Sequence, residues 1–139
     1  MAGLTLYLAD TGAWHRSDHP DVSAAWRARL EADSIATTDP IRLEILYSAR
    51  SLEEYDRLAD RLDALHQVPC GDAAFQRALE VHRLMARRPL HHRVSIGDLL
   101  IAAVAELSGA TVWHYDADYD RIAGVTSQPV QWIAPRGSL

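Results

Sequence analysis

The chain alternates short apolar runs with longer stretches in which apolar residues recur every three or four positions. The first run, Leu4 to Ala9, ends at Asp10 and is broken by Thr11-Gly12, which predicts a buried strand followed by a turn. Val22, Trp26 and Leu30 then form one stripe of a helix, and Ser34 to Thr37 reads as a second strand. Asp39-Pro40 predicts an N-cap and first helical position, opening a helix through Ile41, Glu44, Ile45, Tyr47 and Ser48. Ser51 with Glu54 three residues on is a capping box, and Leu52, Tyr55, Leu58, Leu62 and Leu65 continue at helical spacing. Val68 to Cys70 is a short third strand.

Gly71-Asp72 leads into a helix that runs to Arg88, with Phe75, Leu79 and Met85 expected inward and Pro89 as its stop. After a loop rich in His and Arg, Ile96-Gly97-Asp98 opens the most apolar helix, Leu99 to Leu107, closed by Ser108-Gly109. Thr111 to Tyr115 predicts a strand ending in Asp116, followed by a helical turn at Tyr119 to Ala123 and a last strand, Val130 to Ala134. Strands alternating with helices predict an α/β fold with a parallel sheet of about five strands covered on both faces. A length of 139 residues suits one hydrophobic core, so residues 1–139 read as a single domain.

Composition narrows the class. With 48% hydrophobic and 24% charged residues, disordered and low-complexity readings are excluded. The lone Cys70 excludes an internal disulfide and fits a reducing cytoplasm. No basic leader precedes an apolar run, and no run approaches the roughly 20 residues a membrane span needs. Fourteen basic against 19 acidic residues give −5, the wrong sign for coating nucleic acid generically, so any such contact must be local. All 14 basic residues are Arg, and Arg77 to Arg93 holds five of them against the single acid Glu80. Arg87, Arg88 and Arg93 are therefore candidates for RNA phosphates, or else for a solvated face. His91 and His92 lie in the same stretch, but hydrolysis by a metal-activated water requires no histidine base. The four tryptophans read as core or interface rather than as base-stacking platforms.

Ligands of open α/β sheets bind beyond the carboxyl ends of the strands. Asp10 ends the first strand and Asp116 the fourth, Asp98 stands at the start of a buried helix, and Glu44 interrupts the apolar stretch Ile41 to Tyr47. Singly, each reads equally as a cap, a turn residue or an exposed helix position. Together they are harder to dismiss, because carboxylates ~4 Å apart repel by about 4 kcal/mol per pair and must take up protons or share a cation. An all-oxygen donor set suits Mg²⁺ or Mn²⁺, which activate water and stabilise charge on a phosphodiester. Asp116, Asp118 and Asp120 imitate the start of a calcium loop, but Arg121 stands at the required Gly and Ser127 at the bidentate Glu, so a calcium loop is not expected. Asp118 either supports the site from behind or, with Asp120, caps the short helix.

The segments LADTGAW, IRLEILYSAR, SIGDLLIAAVAELSGATVWHYD and ADYDRIA, in that order, resemble the four acidic motifs of PIN-domain ribonucleases, particularly VapC-type toxins of bacterial toxin-antitoxin pairs. The resemblance implies a PIN-like three-layer α/β/α fold and a metal-dependent endoribonuclease acting on RNA, tRNA or rRNA being candidate targets. It assigns Asp10, Glu44, Asp98 and Asp116 as the acidic quartet around Mg²⁺ or Mn²⁺, with Asp10 and Asp98 as leading ligands and Thr11 matching the hydroxyl residue that follows the first acid. Gly12 stands where the family commonly has Ser. The implied partners are a cognate antitoxin and a second copy of the chain. An acidic pocket is a natural receptor for an Arg or Lys of a partner segment, and the stripes of Val22 to Leu30 and Leu52 to Leu65 offer Trp26, Tyr55 and Leu62 either to a partner or to the core. The competing readings are a PIN-like nuclease of other nucleic acids outside a toxin pair and a catalytically inactive binding module.

Overall fold

Each strand is only two to four residues long, too short to display alternation, and holds its place through parallel pairing with buried neighbours. In the computed structural model, which describes residues 5–139, the order is β1 (Tyr7–Ala9), α1 (Thr11–His15), α2 (Ser23–Glu31), β2 (Ile35–Thr37), α3 (Asp39–Tyr47), α4 (Leu52–Asp63), β3 (His66–Gln67), α5 (Asp72–Ala86), α6 (Ile96–Ser108), β4 (Thr111–His114), α7 (Ala117–Thr126) and β5 (Val130–Trp132). The sheet order is β3-β2-β1-β4-β5, every pair parallel. From β1 the chain winds outward through β2 to β3, then crosses back to β4 on the other side of β1. Because parallel crossovers are right-handed, that reversal sends α1 to α4 to one face and α5 to α7 to the other, giving three layers. It also makes the gap beyond the ends of β1 and β4 the switch point of the sheet.

The core explains the placement. Leu8, Ile35, Ala36 and Val112 are fully or almost fully buried along the sheet, and Ile101 to Ala105 bury a continuous stretch of α6. Trp113 stacks on Trp26 with centroids 5.4 Å apart, and Trp26 meets Trp14 edge-on at 5.8 Å, so these three aromatics belong to the core as the sequence suggests. Arg29 lies over Tyr7 and Trp113, and burial lowers its proton affinity. Ser51 accepts from Glu54 N–H at the start of α4, the expected cap, and Gly109 ends α6 at φ +67°, a left-handed conformation that favours glycine.

The structure corrects several expectations. After Asp10 the chain forms the short helix α1 rather than a turn, because the Asp10 side chain caps it. The N-cap of α3 is Thr38, and Asp39 is its first residue. The third strand is His66–Gln67 rather than Val68 to Cys70, although Val68 N–H still donates to Thr37 O at 2.9 Å. The turn at Tyr119 is a ten-residue helix, and the last strand stops at Trp132. On α5, Met85 is buried as expected, but Phe75 and Leu79 are exposed. Trp26 and Leu62 are buried and therefore unavailable to a partner, while Tyr55 is exposed. The Leu4 end of the first strand lies outside the described residues.

Candidate functional site

A cavity of about 310 Å³ opens at the switch point, lined by Asp10, Thr11, Gly12, Arg16, Glu44, Asp98, Ile101, Tyr115, Asp116 and Tyr119. All four acids singled out by the sequence border it. Each is delivered by a different element, and three of them stand at helix N-termini, where free N–H groups and the helix dipole favour negative charge.

Asp10 follows β1 directly. Its backbone N–H donates to Trp113 O of β4 at 3.1 Å, and its Oδ1 accepts from Ala13 N–H at 2.8 Å. It is only 6% exposed. Burial, reinforced by Asp116 and Glu44, pushes its carboxyl up to about 7, against the opposing pull of the Ala13 N–H and of Arg16. Glu44 comes from α3 and is fixed by Thr11, whose hydroxyl donates to Oε2 at 2.5 Å. Thr11 thus holds one of the acids that line the cavity.

Asp98 lies in the first turn of α6, but the N-cap is Ser95, whose Oγ accepts from Asp98 N–H at 3.0 Å. Capping is therefore done by a neighbour, and the Asp98 carboxyl is left for other use. Buried Tyr119 donates to its Oδ1 at 3.0 Å. Desolvation, with Asp118 and Asp116 beside it, raises this carboxyl to about 8. Burial likewise holds the Tyr119 hydroxyl well above the usual tyrosine range. Asp116 caps α7 through Asp118 N–H at 2.9 Å, and its own N–H donates to His114 Nδ1 at 3.1 Å. That bond leaves the His114 proton on Nε2, a buried atom without a partner, and burial lowers the affinity of this histidine for a second proton.

One carboxylate oxygen from each of Asp98, Asp116 and Asp118 lies within 4.8 Å of the others, a spacing that one cation can bridge. Asp118 does not cap its own helix. Its Oδ2 accepts from Ser95 N–H and its Oδ1 from Arg121, both at 3.0 Å, so it ties the start of α6 to α7. Asp120 does not cap the helix either, since it accepts from Trp132 Nε1 at 3.0 Å. An acidic cluster of this chemistry suggests a divalent metal site.

Sequence reading missed Arg16, Tyr115 and Tyr119. Tyr119 sits three residues after Asp116, on the inner face of a helix longer than its sequence predicts, while Arg16 caps the end of α1, where the sequence predicts only a turn. The basic stretch lies elsewhere. Arg87, Arg88 and Arg93 are exposed and do not line the cavity, and Arg77 is consumed by a two-point pair with Glu106 and a contact to Glu80.

Residues 7–125 match the PIN domain. The chain is 54% identical over 136 residues to Ribonuclease VapC18 of Mycobacterium tuberculosis, covering 96% of this chain and 99% of that protein. Identity to Ribonuclease VapC51 of the same bacterium is 44% over 133 residues, covering 96% of each. Among solved structures, DNA-bound VapBC from Salmonella typhimurium aligns with a TM-score of 0.76 at 15% identity, over 94% of this chain and 99% of that one. VapBC-5 from M. tuberculosis aligns at 0.62 and 24% identity, over 94% and 98%. These structures share the fold, a five-stranded parallel sheet flanked by helices. From the matched domain and the extent of identity, the chain belongs to the PIN-domain family, alongside the VapC ribonucleases.

Proposed function

We propose that this protein is a metal-dependent endoribonuclease, the toxin of a toxin-antitoxin pair, and that Asp10, Glu44, Asp98 and Asp116 are its working acids. The observation that carries the reading is the convergence of these four carboxylates on one cavity at the switch point. Two of them, Asp10 and Asp98, have proton affinities raised towards neutrality by burial and by the acids beside them. Full-length relatives bearing the name ribonuclease support the activity. Such a cluster is stable only with protons or a cation, and its all-oxygen chemistry fits Mg²⁺ or Mn²⁺. Asp10, Glu44, Asp98 and Asp116 would hold the ion, with Thr11 bonded to Glu44 and Asp118 beside Asp98 and Asp116 in support. When bound, the ion supplies the positive charge that favours ionisation of a nearby water and offsets charge on the phosphodiester. Tyr119 fixes Asp98, Thr11 fixes Glu44, and the Ala13 N–H fixes Asp10, so the acids are ordered before substrate arrives.

The reading extends to partners. Structural neighbours that are toxin-antitoxin complexes support a cognate antitoxin. Arg87, Arg88 and Arg93 would hold RNA phosphates. A second copy would cover exposed Phe75, Leu79 and Ile96, which rim an apolar groove between α5 and α6. Sedimentation of wild type and Leu79→Glu tests this, and a monomeric wild type contradicts it. Among the described residues no helix is long and apolar enough to cross a membrane, and we place the action in the cytoplasm. Sequencing RNA ends after brief induction identifies the target, tRNA and rRNA included.

The direct test is cleavage of RNA by purified protein. Activity should require Mg²⁺ or Mn²⁺, vanish in chelator, and be absent in Asp98→Asn with an unchanged circular dichroism spectrum. Metal-independent cleavage, or an Asp98→Asn variant as active as wild type, contradicts the assignment.

A further inference from the structure

The cavity holds one cation that the acids do not neutralise. Among the described residues, Arg16 is the only basic side chain lining it. Its Nη1 donates to Gly12 O at 3.2 Å, and its guanidinium lies over the Tyr115 ring, 4.6 Å from the centroid. Neither contact is with a carboxylate, and no acid among the described residues forms an ion pair with it, although Asp10 is near enough for Arg16 to lower its proton affinity. The space above Gly12 explains the arrangement. A Cβ built there would stand 3.3 Å from Arg16 Nη1 and 3.6 Å from Asp10 Oδ1, so the missing side chain leaves room for the guanidinium beside the first acid.

A guanidinium carries five N–H donors in a planar fork matched to phosphate oxygens. Here one donor goes to a carbonyl and the guanidinium carbon rests over an aromatic ring, so the group is held at the cavity with donors that no carboxylate takes. A pocket of four carboxylates repels a phosphodiester. A fixed, unpaired cation on its rim is what such a substrate requires. Resting on the nuclease reading above, we propose that Arg16 is a further catalytic residue, whose guanidinium grips a non-bridging oxygen of the RNA phosphodiester held in the cavity. Tyr115 and Gly12 position it.

The test pairs single-turnover RNA cleavage in Mn²⁺ with calorimetric titration of the same proteins by Mn²⁺ alone, for wild type, Arg16→Ala and Arg16→Lys, with Arg16→Gln read in place of Arg16→Ala if the latter fails to fold. Cleavage should fall by a factor on the order of 10² in Arg16→Ala and recover in part in Arg16→Lys, a point charge without the fork. Mn²⁺ affinity should be unchanged or higher, because a neighbouring positive charge has been removed. Cleavage within about threefold of an active wild type, or a loss of Mn²⁺ affinity that accounts for the slower reaction, overturns the assignment of Arg16. A wild type that cleaves no RNA in Mn²⁺ overturns the nuclease reading, and this inference with it.

Discussion

Acids outside the cavity and acids inside it are treated in opposite ways. On the surface, Asp63 meets Arg42 at 2.7 Å, and Glu106 takes both sides of the Arg77 fork. At the switch point, Asp10, Asp98 and Asp116 line one cavity, and Arg16, the one basic side chain lining it among the described residues, gives its hydrogen bond to a carbonyl. The two regions use the same residue types, yet one is compensated by arginine and the other has no arginine paired to the acids that line the cavity, as the proposed metal site requires. That difference separates a stabilising ion pair from a functional site, and it yields mutations with opposite signatures.

The largest effect is expected at Asp98. Asp98→Asn should lower metal-dependent cleavage at least about 100-fold, beyond what losing a residue behind a metal ligand costs, while the melting temperature of the metal-free protein stays level or rises as repulsion is relieved. Assays of cleavage and thermal unfolding on one preparation check both halves.

Next comes the pH dependence of the metal-free protein. Asp10 and Asp98 hold their protons up to about 7 and about 8 in the fold, against an ordinary aspartate value of 3.8. Their contribution to stability is thus fully present below about pH 4 and is lost as pH rises through the 7 to 8 range. His114, whose proton affinity is lowered by burial, acts with the opposite sign. Comparing melting temperatures of wild type and Asp98→Asn from roughly pH 5 to 8 isolates the acids, and the wild type should lose more stability on the way up. A steeper fall in the variant would contradict the assignment.

Arg77→Met should show the reverse of Asp98→Asn. Breaking the half-buried pair with Glu106 should destabilise the fold by about 1 kcal/mol and leave cleavage unchanged, as denaturant unfolding and RNA assays would show. The smallest effect belongs to Arg87→Gln with Arg88→Gln. RNA affinity should weaken severalfold, and the slope of log affinity against log salt should flatten by roughly one unit. An unaltered slope returns that stretch to a solvated surface.

The alternation of elements, the acids at their ends and the caps at Ser51 and Gly109 were legible because each leaves a local mark in residue type and spacing. Strand ends were less so, since a two-residue β3 is defined by its partner Thr37 rather than by its own sequence. Phe75 and Leu79 were misplaced because helical periodicity marks an apolar face without saying whether anything covers it. Arg16, Tyr119 and the tie between Asp118 and Ser95 arise from tertiary approach of α1, α6 and α7, and no spacing in the chain announces them. Three acids at element ends and Glu44 within α3 mark where the cavity lies; what orders them becomes visible only in the fold.

The central claim, that the cavity awaits a divalent cation, is tested most directly by calorimetric titration of the metal-free protein with Mn²⁺ near pH 6.5, in buffers of different ionisation heat. Binding with proton release is expected, because Asp10 and Asp98 must give up protons to share the ion, and Asp98→Asn should lose most of both. Binding without proton release, or binding unchanged in Asp98→Asn, would contradict it.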